Sequence, residues 1–85
     1  MIAIQGEFIS QSSARWLVEH LRAVGRADDV TAAWAIEQSL IDDLVVPELE
    51  EAEADAVLAL LSNAPPAGLV NLRRKLFGDV RNRLV

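Results

Sequence analysis

The sequence predicts a mainly α-helical domain, with one N-terminal β-strand or extended arm followed by four short helices packed as a small bundle. Two observations indicate this fold class. A period of two is confined to the first nine residues, whereas apolar residues recur every three or four positions through the remainder. Serine, aspartate, glycine and proline divide that remainder where helices begin or end. The 85 residues leave room for one domain, which spans residues 1–85.

Residues 1–9, MIAIQGEFI, contain the only predicted strand. Ile2, Ile4 and Phe8 lie on one side of a period-two pattern, which bends or is interrupted at Gly6. A single strand has unpaired N–H and C=O groups along both edges, and no later segment is predicted to pair with it. We therefore expect it to pair with a second copy or with another protein's edge strand. The alternative is an extended arm that packs on the helices of its own chain.

Capping residues place the helices. The first is predicted at about 11 to 24, with a serine of the segment SQSS as its N-cap and Gly25 as its C-cap. Asp28 or Asp29 caps the second helix, and Pro47 opens the third, which ends before the segment NAPPAG. The predicted inward face of the second helix consists of Val30, Ala33, Trp34, Leu40, Ile41 and Leu44. That of the fourth consists of Leu69, Leu72, Leu76, Phe77, Val80 and Leu84.

The composition limits the classes of function. Apolar residues make up 52% of the chain and the mean hydropathy is +0.22, which is a high apolar content for a small soluble protein. We therefore expect some of the apolar side chains to face a protein partner. The chain has no cysteine and one histidine, which excludes disulfides and thiolate or histidine-rich metal sites, and we expect no cofactor. No membrane-length apolar run or signal peptide is found, so we expect a cytoplasmic protein.

The abundance of arginine over lysine, together with the many alanines, indicates a GC-rich bacterial or phage gene. The sequence has no motif that pairs a serine nucleophile with a general base, and it has no glycine-rich phosphate loop. The chain is therefore not expected to be an enzyme.

Charge is distributed unevenly along this acidic chain, whose net charge is −5. Residues 28–55 contain ten acidic residues and no basic one, whereas residues 70–85 contain five of the eight basic residues. Glu37 and Arg73 interrupt the predicted inward faces of the second and fourth helices. Because an unpaired buried charge is strongly destabilising, we predict that Glu37 pairs with an arginine, and that this arginine is Arg73.

The basic C-terminal segment also permits an alternative function, a nucleic-acid-binding regulator that contacts phosphates through Arg74, Arg81 and Arg83. The segment LVEHLRAVGRADDVTAAWAI has the helix–glycine–helix outline of a helix-turn-helix. Its second helix begins with two aspartates and contains no Arg or Lys, and the chain has a pI of about 4.6. The sequence therefore argues against nucleic acid as the partner.

A second alternative comes from the tetrapeptide EQSL, Glu37 to Leu40. It resembles the end of the Gly-x-Asp-Ser-Leu motif of acyl carrier proteins, with Ser39 and Leu40 as the two matching residues. The resemblance lacks the glycine and the aspartate of the motif. It implies a small helical carrier whose prosthetic group is attached to Ser39.

The function that these observations favour is a non-catalytic protein-protein interaction module, of regulatory, adaptor or assembly type. It is expected to form a homo-oligomer through the N-terminal strand and the apolar helix faces, without membrane or small-molecule partners. Trp16 and His20 lie one turn apart on a face of the first helix that is displaced from its core stripe. The predicted interface residues are Ile2, Ile4, Phe8, Trp16 and His20.

Overall fold

The computed structural model describes residues 1–42 and 45–83, in which a β-hairpin precedes four helices, so the mainly helical fold class is confirmed. The elements are β1 Ile2–Ile4, β2 Glu7–Ile9, α1 Gln11–Val24, α2 Ala27–Ile41, α3 Glu51–Leu61, a 3-10 turn Ala67–Leu69 and α4 Val70–Arg83. Two residues that were predicted to face the core, Leu44 and Leu84, lie outside the described residues.

The N-terminal segment forms two strands instead of the single predicted one. β1 and β2 pair antiparallel, with Ile2 opposite Ile9. Gln5 and Gly6, which connect them, have φ angles of 52° and 83°. Positive φ at both central residues is the requirement of a type I′ turn, the turn that suits a two-residue hairpin. Each strand therefore pairs on one edge within the chain, so the prediction of a single strand with no partner in its own sequence is wrong.

We expect Gly6→Ala to lower the free energy of unfolding by about 1 kcal/mol, because an alanine is strained in the left-handed region. Apart from Gly6 and its two chain neighbours, no residue has an atom within 4 Å of the added Cβ, so the backbone conformation accounts for this cost. Gln5→Asn is the matched variant at the other turn position. We expect it to raise the free energy of unfolding by about 0.5 kcal/mol, because asparagine tolerates positive φ. Urea denaturation measures both changes. A neutral Gly6→Ala variant would contradict this turn geometry.

The core lies between the inner face of the hairpin and the four helices. Ile2 and Ile4 are 5% and 0% exposed, so the prediction that these two residues face a partner is wrong. The hairpin folds them onto the helices, where apolar burial stabilises the chain itself. The buried cluster consists of Ile2, Ile4, Ile9, Ala14, Leu17, Val18, Leu21, Ala32, Ala33, Ile36, Ala54, Val57, Leu61, Leu69, Leu72 and Leu76.

Local capping explains where the helices begin. The Ser10 side chain accepts from the backbone N–H of Ser13 at the start of α1, and Gly25, with φ 76°, ends that helix in the left-handed conformation. The start of α2 is preceded by Arg26 instead of the predicted aspartates, which lie in its first turn. α3 begins at Glu51, later than predicted, after a capping box formed by the glutamate before it and the one at its third position.

The inward face of α2 is only in part the predicted one, since Ala33 is buried and Leu40 packs against the core as predicted. Its buried residues are Asp29, Ala32, Ala33, Ile36 and Ser39. Val30, Trp34 and Ile41 point to solvent instead, with 46%, 62% and 74% of their surface exposed. Phe77 of α4 was also predicted to face the core and is 56% exposed. The helical period identifies apolar faces, but it does not decide which of two such faces the rest of the fold covers.

Candidate functional site

The helix α2 has two apolar faces on opposite sides. One contains Ile36 and the alanines that pack in the core. At about 100° per residue, Ala27, Val30, Trp34 and Ile41 fall within an arc of about 60° on the other side. We call these four residues the α2 seam. An isolated surface helix normally has one apolar face, so a helix that is apolar on both sides is expected to be covered on both sides.

The spacing of the α2 seam is that of a surface that packs on another helix. Ala27, Trp34 and Ile41 follow one another at intervals of seven residues, and Val30 comes three residues after the first of them. A seven-residue repeat with an intermediate apolar residue forms the contact line of paired helices. The seam carries no nucleophile or general acid, so its chemistry is that of packing.

An ion pair borders the α2 seam. Arg22 Nη2 of α1 lies 2.8 Å from Glu37 Oε2, and the hydrogen bond and charge of Glu37 raise the pKa of Arg22. Glu37 thus meets an arginine as predicted, but the predicted partner, Arg73, is wrong. α1 and α2 pack closely against each other, whereas Arg73 lies on the exposed side of α4. The Glu37 side chain is 33% exposed, so water already solvates much of its charge.

The outward side of α4 is a second candidate surface. Val70 and Phe77 lie seven residues apart and are 38% and 56% exposed. Arg73, Arg74 and Arg81 are exposed around them, and none of the three forms an ion pair with a described residue. We call these five residues the α4 patch. Four of them line a surface depression of about 330 Å³, namely Val70, Arg73, Arg74 and Phe77.

The last basic residue of α4 has partners within the chain. Arg83 Nη2 donates to Asp55 Oδ1 at 2.6 Å, and the guanidinium also contacts the Glu51 carboxylate of α3. The hydrogen bond to Asp55, with a smaller contribution from Glu51, raises the pKa of Arg83 despite partial desolvation. The prediction that Arg83 contacts phosphate therefore conflicts with its position, because both of its terminal nitrogens already contact carboxylates, which offset its charge. Arg74 and Arg81 remain exposed.

The other predicted interface residues occupy separate places. Phe8 is 65% exposed on the outer face of the hairpin. Trp16 is partly buried, and its ring stacks on that of His20 with 3.9 Å between the ring centroids. His20 Nδ1 lies 2.8 Å from the Trp16 carbonyl oxygen, a distance at which an Nδ1–H donates to it. Trp16 and His20 thus contact each other, and their role at an interface stays a prediction.

Ser39 does not present a modification site. Its side chain is 2% exposed, and its hydroxyl donates a hydrogen bond to the Val45 carbonyl oxygen. The resemblance to acyl carrier proteins requires an exposed serine that a modifying enzyme can reach. Here the hydroxyl ties the end of α2 to the segment that follows it, so the structure gives the carrier alternative no support.

Within residues 1–42 and 45–83, no helix is long and apolar enough to cross a membrane. No three His, Asp or Glu side chains among these residues are placed to hold a metal ion. No family model, curated protein or solved structure matches the chain. The α2 seam and the α4 patch are therefore the features of the described residues from which a function can be inferred.

Proposed function

We propose that this protein is a non-catalytic assembly module that binds a second copy of itself through the α2 seam. The observation that carries the proposal is the position of Trp34, which is 62% exposed on a helix whose opposite side is already in the core. Tryptophan in the middle of an apolar patch is the residue type most often found at the energetic centre of protein interfaces. Ile41 and Val30 extend the apolar surface on either side of it.

The size of the α2 seam supports association at accessible protein concentrations. Fully burying a large apolar side chain contributes about 1.5–3 kcal/mol. Val30, Trp34 and Ile41 each have a large exposed fraction to lose, and their rigid placement on one helix lowers the entropy cost of ordering them. The same seam replaces the N-terminal strand as the element that supports self-association, because Ile2 and Ile4 are buried in their own chain.

Two matched valines test this proposal. Val30 lies in the seam and is 46% exposed, whereas Val24, at the end of α1, lies outside it and is 47% exposed. We expect Val30→Lys to shift the protein toward monomer, because the contact would bury an ammonium group without a partner. Val24→Lys should associate as the unmodified chain does. Sedimentation velocity over a concentration series measures both effects, with circular dichroism as the check on helix content.

Two results would contradict the proposal. One is an unmodified chain that stays monomeric at a concentration of about 1 mM, where even a contact worth about 4 kcal/mol is half occupied. The other is an equal effect of Val30→Lys and Val24→Lys, which would mean that any added charge disturbs the assembly. In that case the α2 seam would not be its contact surface.

A further inference from the structure

The α4 patch has the properties of a receptor for the α2 seam of another copy. We propose that Trp34 of one copy occupies the depression lined by Val70, Arg73, Arg74 and Phe77 on another copy, so that copies associate through α2 of one and α4 of the other. This inference rests on the proposed self-association and names the surface that receives the seam.

Charge favours this pairing over the two symmetrical ones. α2 contains Asp28, Asp29 and Glu37 and no basic residue, and two of these carboxylates already pair with Arg26 and Arg22 of the same chain. The α4 patch carries three arginines that are not paired with any described residue. Packing α4 on α4 would oppose two sets of unpaired arginines, and packing α2 on α2 would leave those arginines without a counter-charge. Packing α2 on α4 places them against a helix that has acidic residues and no basic one, and opposite charges of this kind steer and fix protein contacts.

The chemistry of the depression suits an indole ring. Phe77 provides an aromatic surface for an edge or offset contact, and the guanidinium groups of Arg73 and Arg74 can lie on the face of the indole. The two helices also share a repeat. Val70 and Phe77 are seven residues apart, as are Trp34 and Ile41, so that apolar residues can meet on two successive turns of each helix.

The contact has to form between copies. In one chain α2 packs mainly on α1 and α3, whereas α4 packs on α3 and β2, so the two surfaces are not each other's neighbours. A contact between two different surfaces closes a dimer when both pairs form at once, and otherwise extends into a ring or a chain of copies. In both cases each copy donates one seam and receives another.

A patch of arginines around a phenylalanine also suits single-stranded nucleic acid, since bases stack on aromatic rings and arginines contact phosphates. The net charge of −5 opposes a polyanion, and Arg83, which could have extended the patch, is held by Asp55. A second copy, which provides its own acidic region, is therefore the favoured occupant.

Mixing two variants tests the inference. Trp34→Lys removes the seam and keeps the patch, because an ammonium group is repelled by Arg73 and Arg74, whereas Phe77→Glu removes the patch and keeps the seam. Both residues are more than half exposed, so the fold should survive, which circular dichroism checks. Each variant alone should self-associate at least about thirtyfold more weakly, as for the loss of an aromatic interface centre. At a concentration where each is monomeric, the equimolar mixture should form a 1:1 complex of two chains.

Four results would overturn the inference in distinguishable ways. Normal self-association of Phe77→Glu alone would keep the assembly module and show that α4 is not the receptor. Two monomeric variants that stay monomeric when mixed would exclude the α2–α4 contact. A monomeric unmodified chain would remove the proposed function as well. Tight binding of a fluorescent oligothymidylate to an unmodified monomer, lost in Phe77→Glu, would assign the patch to nucleic acid. Mixing Trp34→Lys with Val30→Lys is the control, and it should give no complex because both variants lack a working seam.

Discussion

Ile36→Ala is expected to lower the free energy of unfolding by about 2–4 kcal/mol, whereas Ile41→Ala, five residues later on the same helix, should change it by less than about 0.5 kcal/mol. Ile36 is fully buried and Ile41 is 74% exposed. Truncating Ile36 removes apolar contacts and leaves a cavity between α2 and the rest of the core. Truncating Ile41 removes a side chain that water already surrounds in the single chain.

Urea denaturation at low protein concentration measures both variants without the contribution of association. At high concentration Ile41→Ala should also lose the extra stability that self-association confers on the unmodified chain. Similar losses for the two variants at low concentration would mean that the α2 seam is covered within its own chain. That result would also remove the basis for an assembly surface on α2.

The elements whose boundaries depend on local chemistry could be predicted from the sequence. α1 has the predicted limits because Ser10 can cap its free N–H groups and Gly25 can adopt the left-handed conformation that ends it. The hairpin depends on local chemistry too, but its turn has glutamine where Asn-Gly or Asp-Gly is the recognisable signal. Two short apolar runs on either side of Gln5 and Gly6 were the available evidence for it.

The orientation of α2 could not be predicted from its own residues. Both of its sides are apolar, and the buried one is selected by α1 and α3, which pack on the small side chains of Ala32 and Ala33. Trp34, the largest residue of the helix, is thereby left outside. The partner of Glu37 depends on the same orientation, since Arg22 lies on the neighbouring helix and Arg73 does not.

The two candidate surfaces could also be predicted from the sequence only in part. The unequal distribution of charge is visible in the sequence, and it already distinguishes the acidic α2 region from the basic α4. The exposure of Phe77 is not visible there, because its spacing from Leu69 and Leu76 is compatible with a core position. Only the packing of α4 on α3 and the hairpin shows that it faces outward among the arginines.

Deleting residues 1–9 is expected to abolish cooperative folding. The deletion removes Ile2, Ile4 and Ile9 from the core, where none is more than 5% exposed. Loss of a buried isoleucine side chain typically costs 2–5 kcal/mol, and the total stability of a chain of this length is on the order of 4–13 kcal/mol. Three such losses together with the hairpin hydrogen bonds are comparable with that total. Thermal unfolding followed by far-ultraviolet circular dichroism should therefore show no sharp transition.

Phe8→Ala provides the control, because it changes the same hairpin on its exposed face and should leave the thermal transition nearly unchanged. The contrast between the two variants separates the inner face of the hairpin from the outer one. A truncated chain that still melts sharply but no longer self-associates would contradict this assignment, since the N-terminal segment would then act between chains. The expected loss of folding would mean that the hairpin acts on assembly indirectly. It completes the core against which α2 is oriented, and that orientation leaves Trp34 exposed.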